Sequence, residues 1–480
     1  MIAMTLGELA EITDGRLHGV AASAVVARAP VIDSRQAAPG ALFVAIRGDS
    51  VDGHDFAQEA VAAGATAVLA GHEIDAPSLV VDDTVAALGR VAAEIVRRLQ
   101  RCTVVGITGS QGKTSTKDLL SQVLATAGAT VATAGNLNNE IGVPLTCCRA
   151  DANTRFLVCE MGARGLGNIA YLCSIAQPSI GVVLNVGTAH IGEFGSQDLI
   201  ARSKGELVEA LPTTGSAVLN ADDEAVRAMA GRTRASVLTY GAAPDADVRV
   251  GDLRLGADGT PVFTLHTAAR GERVRLGLLG AHQATNAAAA AAAALAAGMD
   301  LSAIAAALGS ARSLSAWRME HQVRPDGVIV VNDAYNANPD SMRSALETIA
   351  TMAAARPGRA VAVLGEMLEL GDAARTEHEA VGRLAAEAGL TVIAVGDGAR
   401  GIHDGAVAIR GESDTILAVE GHDDAIAWLD AHLQPGDLVL VKASRAAGLE
   451  RVAASLVAPS RHTAWGVNHG RAVDEGTDAR

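Results

Sequence analysis

The chain has 480 residues, of which 49 % are hydrophobic, 19 % are charged and only 2 % are aromatic. This composition excludes a disordered chain, and the length predicts about three domains with cores built from Ala, Val, Leu and Ile. The 54 Asp and Glu outnumber the 39 Lys and Arg, and the net charge of −15 argues against a protein that coats nucleic acid or anionic membrane.

The chain carries no pattern that predicts export, a membrane span or a metal-binding cysteine framework. Residues 1–15 lack the basic-then-apolar pattern of a signal peptide, and the Ala tract at 287–297 is shorter than the roughly 20 residues of a membrane span. The five cysteines include no Cys-x-x-Cys pair. We therefore expect a soluble cytoplasmic protein with no membrane insertion and no nucleic-acid partner.

Residues 1–100 are predicted to form a small mixed α/β domain. Short strand-like runs at 41–46 and 66–70 alternate with Ala-rich helical runs such as 86–99. The turn cluster RGDSVDGHDF at 47–56 interrupts them.

Residues 101–313 are predicted to form a central P-loop-type ATPase domain. A buried strand at 102–108 leads through a glycine-rich loop into an amphipathic helix, and further apolar strands follow at 155–160, 179–187 and 216–222. Strands that are apolar throughout and alternate with helices indicate a parallel sheet covered on both faces.

Residues 314–460 repeat the doubly wound α/β pattern, and we predict a Rossmann-like C-terminal domain. Its strands are expected at 328–333, 359–365, 390–397 and 437–444. Residues 461–480 have no apolar period and are predicted to be a flexible tail.

The strongest local motif is GITGSQGKT at 106–114, which lies between a predicted strand and a predicted helix. Glycines let backbone N–H groups surround phosphate oxygens, and the helix N-terminus adds partial positive charge. Lys113 would reach the β and γ phosphates, and the Thr114 hydroxyl would bind magnesium. The strict G-x-x-x-x-G-K-[ST] pattern fails at Ile107, so the alternative is a glycine-rich turn with an incidental lysine.

Two further polar residues follow buried strands. Glu160 ends the strand at 155–160, and His190 follows the run at 179–187 by three residues. In a parallel sheet both would lie at the carboxyl edge beside the phosphate loop, where magnesium needs oxygen ligands. Ordinary surface polarity is the alternative for each, and a histidine beside magnesium suggests a more elaborate site.

An ordered set of motifs over almost the whole chain, roughly residues 5–458, resembles the Mur ligases, ATP-dependent amide-forming enzymes of bacterial cell-wall synthesis. The motifs are DSRQAAPGALFVAIRG (33–48), DGHDF (52–56), GITGSQGKTSTK (106–117), GNLNNEIGVPLT (135–146), EMGARG (160–165), NVGTAHIGEFGS (185–196), RSKGELVEALP (202–212), GAHQATNAAAA (280–290), NDAYNANPDSM (332–342), LGEMLELG (364–371) and VKASRAAGLE (441–450).

The resemblance implies a reaction between three substrates. ATP would phosphorylate the terminal carboxylate of UDP-N-acetylmuramoyl-tripeptide, and the amine of D-alanyl-D-alanine would then attack the acyl phosphate and release phosphate. Because a carboxylate is a poor electrophile, phosphorylation supplies the leaving group, and the protein contributes positioning and charge neutralisation. The resemblance further implies peptidoglycan synthesis with its link to cell shape and division, a monomer, and closure of the third domain about a hinge near 312–318.

The same resemblance implies ATP and two magnesium ions as cofactors. Thr114 and Glu160 would hold one ion, and Glu160 and His190 would help to hold the second. Lys204 would be carbamoylated by CO₂ into a carboxylate-like ligand, whereas a lone helical lysine is otherwise a surface charge. The implied catalytic residues are Lys113, His190 and Lys204. The implied ATP-binding residues are Gly109, Ser110, Gln111, Gly112, Lys113, Thr114, Ser115, His282, Asn286, Arg318 and Asp333.

Substrate contacts are implied in all three domains. The first domain would bind the uridine diphosphate end, where arginine suits a diphosphate through its paired donors. Phe43 is either a contact there or a core residue. A helix N-cap is the alternative for Asn286, and a turn leading to an N-cap at Asp340 or Ser341 is the alternative for the 336–338 loop. The implied substrate-binding residues are Ser34, Arg35, Arg47, Asp52, His54, Asn136, Asn138, Tyr335, Asn336, Asn338, Lys442, Ser444 and Arg445.

The sequence leaves three alternatives open. A sister ligase that adds diaminopimelate would carry Asp-Asn-Pro-Arg in the third domain, and no such run exists here. Folylpolyglutamate synthase shares the second and third domains but lacks the first. A nonenzymatic nucleotide-gated binding protein would not need Lys113, Glu160, His190 and Lys204 together.

Overall fold

The computed structural model describes residues 1–187 and 196–458. The α-helices are α1 (Leu6–Thr13), α2 (Ala57–Ala62), α3 (Thr84–Arg98), α4 (Lys113–Ala125), α5 (Gly142–Cys148), α6 (Asn168–Ala176), α7 (Gln197–Glu209), α8 (Glu224–Arg227), α9 (His282–Ala296), α10 (Leu301–Ser310), α11 (Pro339–Ala354), α12 (Ala374–Glu387), α13 (Arg400–Arg410), α14 (His422–His432) and α15 (Glu450–Val457).

The β-strands form three α/β sheets and one short two-stranded pair. They are β1 (Met4–Thr5), β2 (Arg16–His18), β3 (Val25–Val26), β4 (Leu42–Val44), β5 (Ala67–Ala70), β6 (Ser78–Val80), β7 (Thr103–Thr108), β8 (Thr130–Ala132), β9 (Phe156–Glu160), β10 (Ile180–Val183), β11 (Ser216–Asn220), β12 (Ser236–Gly241), β13 (Val248–Leu255), β14 (Pro261–His266), β15 (Gly271–Arg275), β16 (Glu320–Val323), β17 (Ile329–Asn332), β18 (Ala360–Leu364), β19 (Thr391–Val395), β20 (Ile416–Val419) and β21 (Leu438–Lys442).

The N-terminal sheet has four strands in the order β2-β6-β5-β4, with β4, β5 and β6 parallel and β2 antiparallel. Helix α3 begins after Asp83, whose carboxylate accepts hydrogen bonds from the N–H groups of Val85 and Ala86. Leu88 and Ile95 of this helix are fully buried in the core beneath the sheet. The predicted mixed α/β architecture is confirmed.

The middle sheet has nine strands in the order β15-β14-β13-β12-β11-β10-β7-β9-β8. The predicted parallel sheet is correct for β7 to β13 but wrong for β14 and β15, which pair antiparallel at one edge. Burial alternates along β14, as expected where only one face of a sheet packs on the core. The sequence predicts strands only from continuous apolar runs, so β14 and β15, like β8, β12 and β13, are not among the predicted strands.

Helix α9 packs its alanine tract into the core of the middle region, against α4 and several strands of the sheet. Residues Ala287–Ala294 are all completely buried, because alanine side chains allow close approach of the neighbouring backbone. The alternative that Asn286 caps this helix is wrong, since α9 begins at His282 and Asn286 lies in its second turn. No helix in the described ranges is long and apolar enough to cross a membrane.

The C-terminal sheet has six strands in the order β16-β17-β21-β18-β19-β20, parallel except for the edge strand β16. Two hydrophobic clusters cover its two faces, as predicted for a doubly wound domain. The predicted domain limits at 100 and 313 fall between elements of different sheets, although the limits themselves stay predictions. The predicted tail at 461–480 lies outside the described residues.

Candidate active site

The phosphate loop connects β7 to α4 at the carboxyl edge of the middle sheet. Gly112 has φ +79°, and a Cβ there would lie 2.6 Å from Oδ1 of Asn286, so this position requires glycine. Lys113 Nζ donates to the carbonyls of Gly109 at 2.7 Å and Ser110 at 3.4 Å. Asn286 and the loop are therefore brought together, as the sequence predicted for two parts of one nucleotide site.

Asn185 holds the phosphate loop in place and was missed from the sequence. Its Oδ1 accepts from the Gln111 N–H at 2.9 Å, and its Nδ2 donates to the Gln111 carbonyl at 3.2 Å. The Gly187 N–H donates to Oγ of Ser110 at 2.9 Å. Asn185 follows β10, which neighbours β7, and a polar residue at the end of that buried run was the signal available.

Glu160 offers one unpaired carboxylate oxygen at the same edge. The residue is 1 % exposed, and its Oε1 accepts from Asn138 Nδ2 at 2.8 Å. Its Oε2 is buried without a hydrogen-bond partner among the described residues. Burial of an unpaired carboxylate oxygen costs free energy unless a ligand pairs with it. Thr114, the second residue of α4, is also buried. A carboxylate oxygen and a hydroxyl fit the hard-oxygen donor set of magnesium.

Lys204 on α7 is 5 % exposed, and burial together with the charge of Lys113 lowers its pKa to about 7. Burial also lowers the pKa of Lys113, while Glu160 raises it and Arg318 lowers it. Lys113 therefore lies within electrostatic range of Lys204, Glu160 and Arg318. His190, the remaining predicted member, lies outside the described residues.

Arg318, a predicted nucleotide contact, lies on the linker to the C-terminal sheet. Its guanidinium stacks on the ring of Tyr335 with 4.2 Å from Cζ to the ring centroid. Its Nε is buried without a partner, which leaves a donor for a ligand oxygen. Asp333, by contrast, already accepts from Lys442 Nζ at 2.6 Å and from the Met319 N–H at 3.0 Å.

His282 joins the middle region to the C-terminal region. Its Nδ1 lies 2.7 Å from Oγ of Ser344 on α11, and burial lowers its pKa to about 4. The ring is therefore neutral near pH 7.

A cavity of about 210 Å³ lies between the loops at 336–338, 368–370 and 444–446. It brings together Asn336, Ser444 and Arg445 of the predicted substrate residues. Lys442 is 2 % exposed, and its ammonium donates to Asp333 and to the Asn336 carbonyl.

Asn338 caps a helix as well as lining this cavity. Its Oδ1 accepts from the Ser341 N–H at 2.9 Å, and Oγ of Ser341 accepts from the Asn338 N–H. The predicted cap at Asp340 or Ser341 is therefore wrong, because the helix begins at Pro339 and Asn338 precedes it.

The predicted residues of the first region form local contacts within it. A β-bridge joins Arg47 to Asp52, and Oδ1 of Asp52 lies 2.6 Å from Nδ1 of His54. Nε2 of His54 accepts from the Gly71 N–H, so both ring nitrogens are used inside this region. Ser34 is buried, and the side chain of Arg35 pairs with Asp33.

Two other candidates in the predicted substrate set differ in exposure. Phe43 is 1 % exposed and belongs to the core rather than to a binding surface. Asn136 is exposed on the loop that precedes α5.

Comparison with known proteins decides the family. Three family models match this chain in order: "Mur ligase family, catalytic domain" over residues 31–104, "Mur ligase middle domain" over 107–294, and "Mur ligase, glutamate ligase domain" over 317–445. The chain belongs to the Mur ligase family.

The relatives of this Mur ligase span its full length. It is 46 % identical to the UDP-N-acetylmuramoyl-tripeptide–D-alanyl-D-alanine ligase of Mycobacterium tuberculosis strain ATCC 25618 / H37Rv, over 95 % of this chain and 98 % of that protein. It is similar to crystal structure I of MurF from Acinetobacter baumannii, with TM-score 0.85, 32 % identity and coverage of 95 % and 99 %. It also resembles the MurF ligase of Thermotoga maritima in complex with ADP, with TM-score 0.77, 31 % identity and coverage of 89 % and 96 %.

Proposed function

We propose that this Mur ligase joins D-alanyl-D-alanine to UDP-N-acetylmuramoyl-tripeptide and converts ATP to ADP and phosphate. The observation that carries the proposal is the set of charged residues, Glu160, Lys204 and Arg318, that lie within electrostatic range of Lys113 beside the phosphate loop. The full-length relatives named for this reaction support the choice of substrates.

The chemistry proceeds in two steps. A carboxylate oxygen of the tripeptide attacks the γ phosphorus of ATP, and the bond from that phosphorus to the ADP oxygen breaks. The amine of the dipeptide then attacks the carbonyl carbon, phosphate leaves with the electron pair of the C–O bond, and the nitrogen loses a proton. Because the reacting groups are anionic, the protein contributes cations and alignment.

ATP is assigned to the phosphate loop and its neighbours. Backbone N–H groups from Gly109 to Ser115 would surround the phosphates, with Lys113 as their cation. Arg318, His282 and Asn286 would complete the site from the linker and from α9. The ADP complex of the Thermotoga maritima relative supports this assignment.

Magnesium is assigned to Thr114 and Glu160, with His190 as a further candidate for a second ion. The unpaired, buried Oε2 of Glu160 supports this choice. Bound magnesium would neutralise charge on the phosphate oxygens. The Asn138 amide would keep the Glu160 carboxylate in one orientation.

Lys204 is assigned as a carbamoylated lysine. Its amine nitrogen would add to the carbon of CO₂ and lose a proton, which gives an N-carboxylate. Burial disfavours the ammonium form, and no hydrogen bond or ion pair joins its amine to a residue in 1–187 or 196–458. An anionic side chain would remove the repulsion between Lys204 and Lys113.

The two organic substrates are assigned to different regions of the chain. Arg47 and its neighbours in the first region would bind the uridine diphosphate, and the cavity lined by Asn336, Ser444 and Arg445 would receive the dipeptide. The reaction belongs to cytoplasmic peptidoglycan synthesis and thereby to cell shape and division, and we expect a monomer.

Phosphate release in the presence of each substrate combination tests the proposal. We expect release only with ATP, UDP-N-acetylmuramoyl-tripeptide and D-alanyl-D-alanine together, and its loss in Lys113→Ala. Release that does not depend on the dipeptide would contradict the assignment. Phosphate release with a UDP-N-acetylmuramoyl-dipeptide precursor and diaminopimelate or lysine would identify the sister ligase instead. Phosphate release with folate and glutamate would identify the folylpolyglutamate reaction.

A further inference from the structure

The linker into the C-terminal region is held in an unfavourable backbone conformation on both sides of Arg318. Trp317 has φ +59° and Met319 has φ +51°, a region that residues with a Cβ rarely adopt. Backbone contacts secure it: the Trp317 N–H donates to Oε2 of Glu320 at 3.1 Å, and its carbonyl accepts from the Tyr335 N–H at 3.2 Å. The chain keeps tryptophan where glycine would fit without strain.

The Trp317 indole covers a cation of the neighbouring cavity. The guanidinium Cζ of Arg445 lies 4.3 Å from the Trp317 ring centroid, within the range of a cation–π contact. Nη1 of Arg445 also pairs with Oε1 of Glu450 at 2.9 Å. Arg445 lines the 210 Å³ cavity between three loops, and its side chain is still 51 % exposed.

Arg445 is the cation that this cavity offers to a ligand. Among the described residues that line it, Arg445 is the only Lys or Arg. The nearby Lys442 ammonium is committed to Asp333 and to the Asn336 carbonyl. A guanidinium has five N–H donors, so the pair with Glu450 leaves donors for a carboxylate.

We propose that Trp317 is a positioning residue that holds Arg445 to receive the carboxylate of the incoming dipeptide, an inference that rests on the proposed function. A half-exposed arginine has many rotamers, and fixing it before binding lowers the entropy lost when the carboxylate arrives. The indole face restrains the guanidinium plane, and Glu450 restrains one end. The strained φ of Trp317 is retained because the ring is placed over Arg445.

The test compares D-alanyl-D-alanine with its C-terminal amide, which lacks the anionic carboxylate. The enzyme is assayed at saturating ATP and UDP-N-acetylmuramoyl-tripeptide, as wild type and as Trp317→Leu, Trp317→Gly and Trp317→Phe. Trp317→Gly fits the backbone angle and removes the whole side chain, so it remains informative if Trp317→Leu fails to fold. Arg445→Gln gives the reference for complete loss of the guanidinium, and Trp428→Leu, in α14 and stacked on His432, is the matched control.

We expect the KM for the dipeptide to rise about two- to fivefold in Trp317→Leu and Trp317→Gly, with kcat and the KM for ATP unchanged. In the same two variants, the preference for the acid over the amide should fall by the same factor. This preference should be unchanged in Trp317→Phe and Trp428→Leu, and it should disappear in Arg445→Gln. Unchanged preference in Trp317→Gly, or equal losses for acid and amide, would overturn the inference. Absence of any dipeptide-dependent product in the wild type would instead overturn the proposed function.

Discussion

The hydroxyl of Ser315 donates a 2.6 Å hydrogen bond to Oδ2 of Asp118, across 197 positions of sequence. Asp118 lies on α4, the helix that begins at the phosphate loop, and Ser315 lies on the linker to the C-terminal sheet. Lys117 Nζ lies 2.6 Å from Oδ1 of Asp118 and donates to the Thr133 carbonyl at 2.9 Å. The linker is therefore joined to α4 by a partly buried polar network.

Ser315→Ala should loosen the linker. The Arg312 N–H, which donates to Oε1 of Gln122 at 3.0 Å, should exchange its hydrogen roughly fivefold faster, because one hydrogen bond contributes about 1 kcal/mol to local stability. Hydrogen exchange followed by mass spectrometry measures this. Ser310→Ala, whose hydroxyl bonds only within α10, is the control, and equal exchange in both variants would contradict the prediction.

Lys204→Ala should abolish activity, by a factor on the order of 100 or more, because the cleft loses its proposed anionic ligand. Bicarbonate should not restore the variant, whereas wild-type enzyme stripped of CO₂ should regain activity when bicarbonate is added. Phosphate release with and without bicarbonate measures the activity of the variant and the recovery of the wild type. Full activity of Lys204→Ala would contradict the proposed role of a carbamate at this position.

His282 should make the protein less stable in mild acid. Burial lowers its pKa from 6.5 to about 4, so between these pH values the unfolded chain binds a proton that the folded chain does not. The free energy of unfolding should therefore fall as the pH decreases through this window, by about 1–2 kcal/mol at pH 5 relative to pH 7.

The comparison with His282→Gln isolates this contribution. Urea titrations at pH 7 and pH 5 should show a smaller loss of stability in His282→Gln than in the wild type. His321→Gln, at an exposed histidine on β16, should behave as the wild type does. Identical losses in all three proteins would show that His282 does not carry the effect.

Asn138→Ala should raise the magnesium concentration needed for activity, because Asn138 orients the Glu160 carboxylate through its 2.8 Å hydrogen bond. Loss of such a supporting contact typically weakens metal binding by about 10- to 100-fold. The magnesium concentration that gives half-maximal phosphate release measures this change. Asn153→Ala, on an exposed turn, is the control, and a lower rate with an unchanged magnesium midpoint would contradict the prediction.

The sequence predicted ten of the nineteen strands in the three sheets, because buried parallel strands are continuous apolar runs that can be recognised locally. It did not predict the other nine, among them β14, whose burial alternates because only one face of the sheet packs on the core there. The alternative helix caps at Asn286 and at Asp340 or Ser341 are wrong, since the residue that caps a helix depends on the backbone conformation before it.

Contiguous motifs determined the family, the phosphate loop and the class of reaction, because each needs only residues that are near neighbours along the chain. Tertiary structure alone decided that Asn185 holds the phosphate loop, that Trp317 stacks on Arg445, and that burial lowers the pKa of Lys204. Those properties depend on partners far away in sequence and on the loss of surrounding water, and neither is encoded in any local pattern.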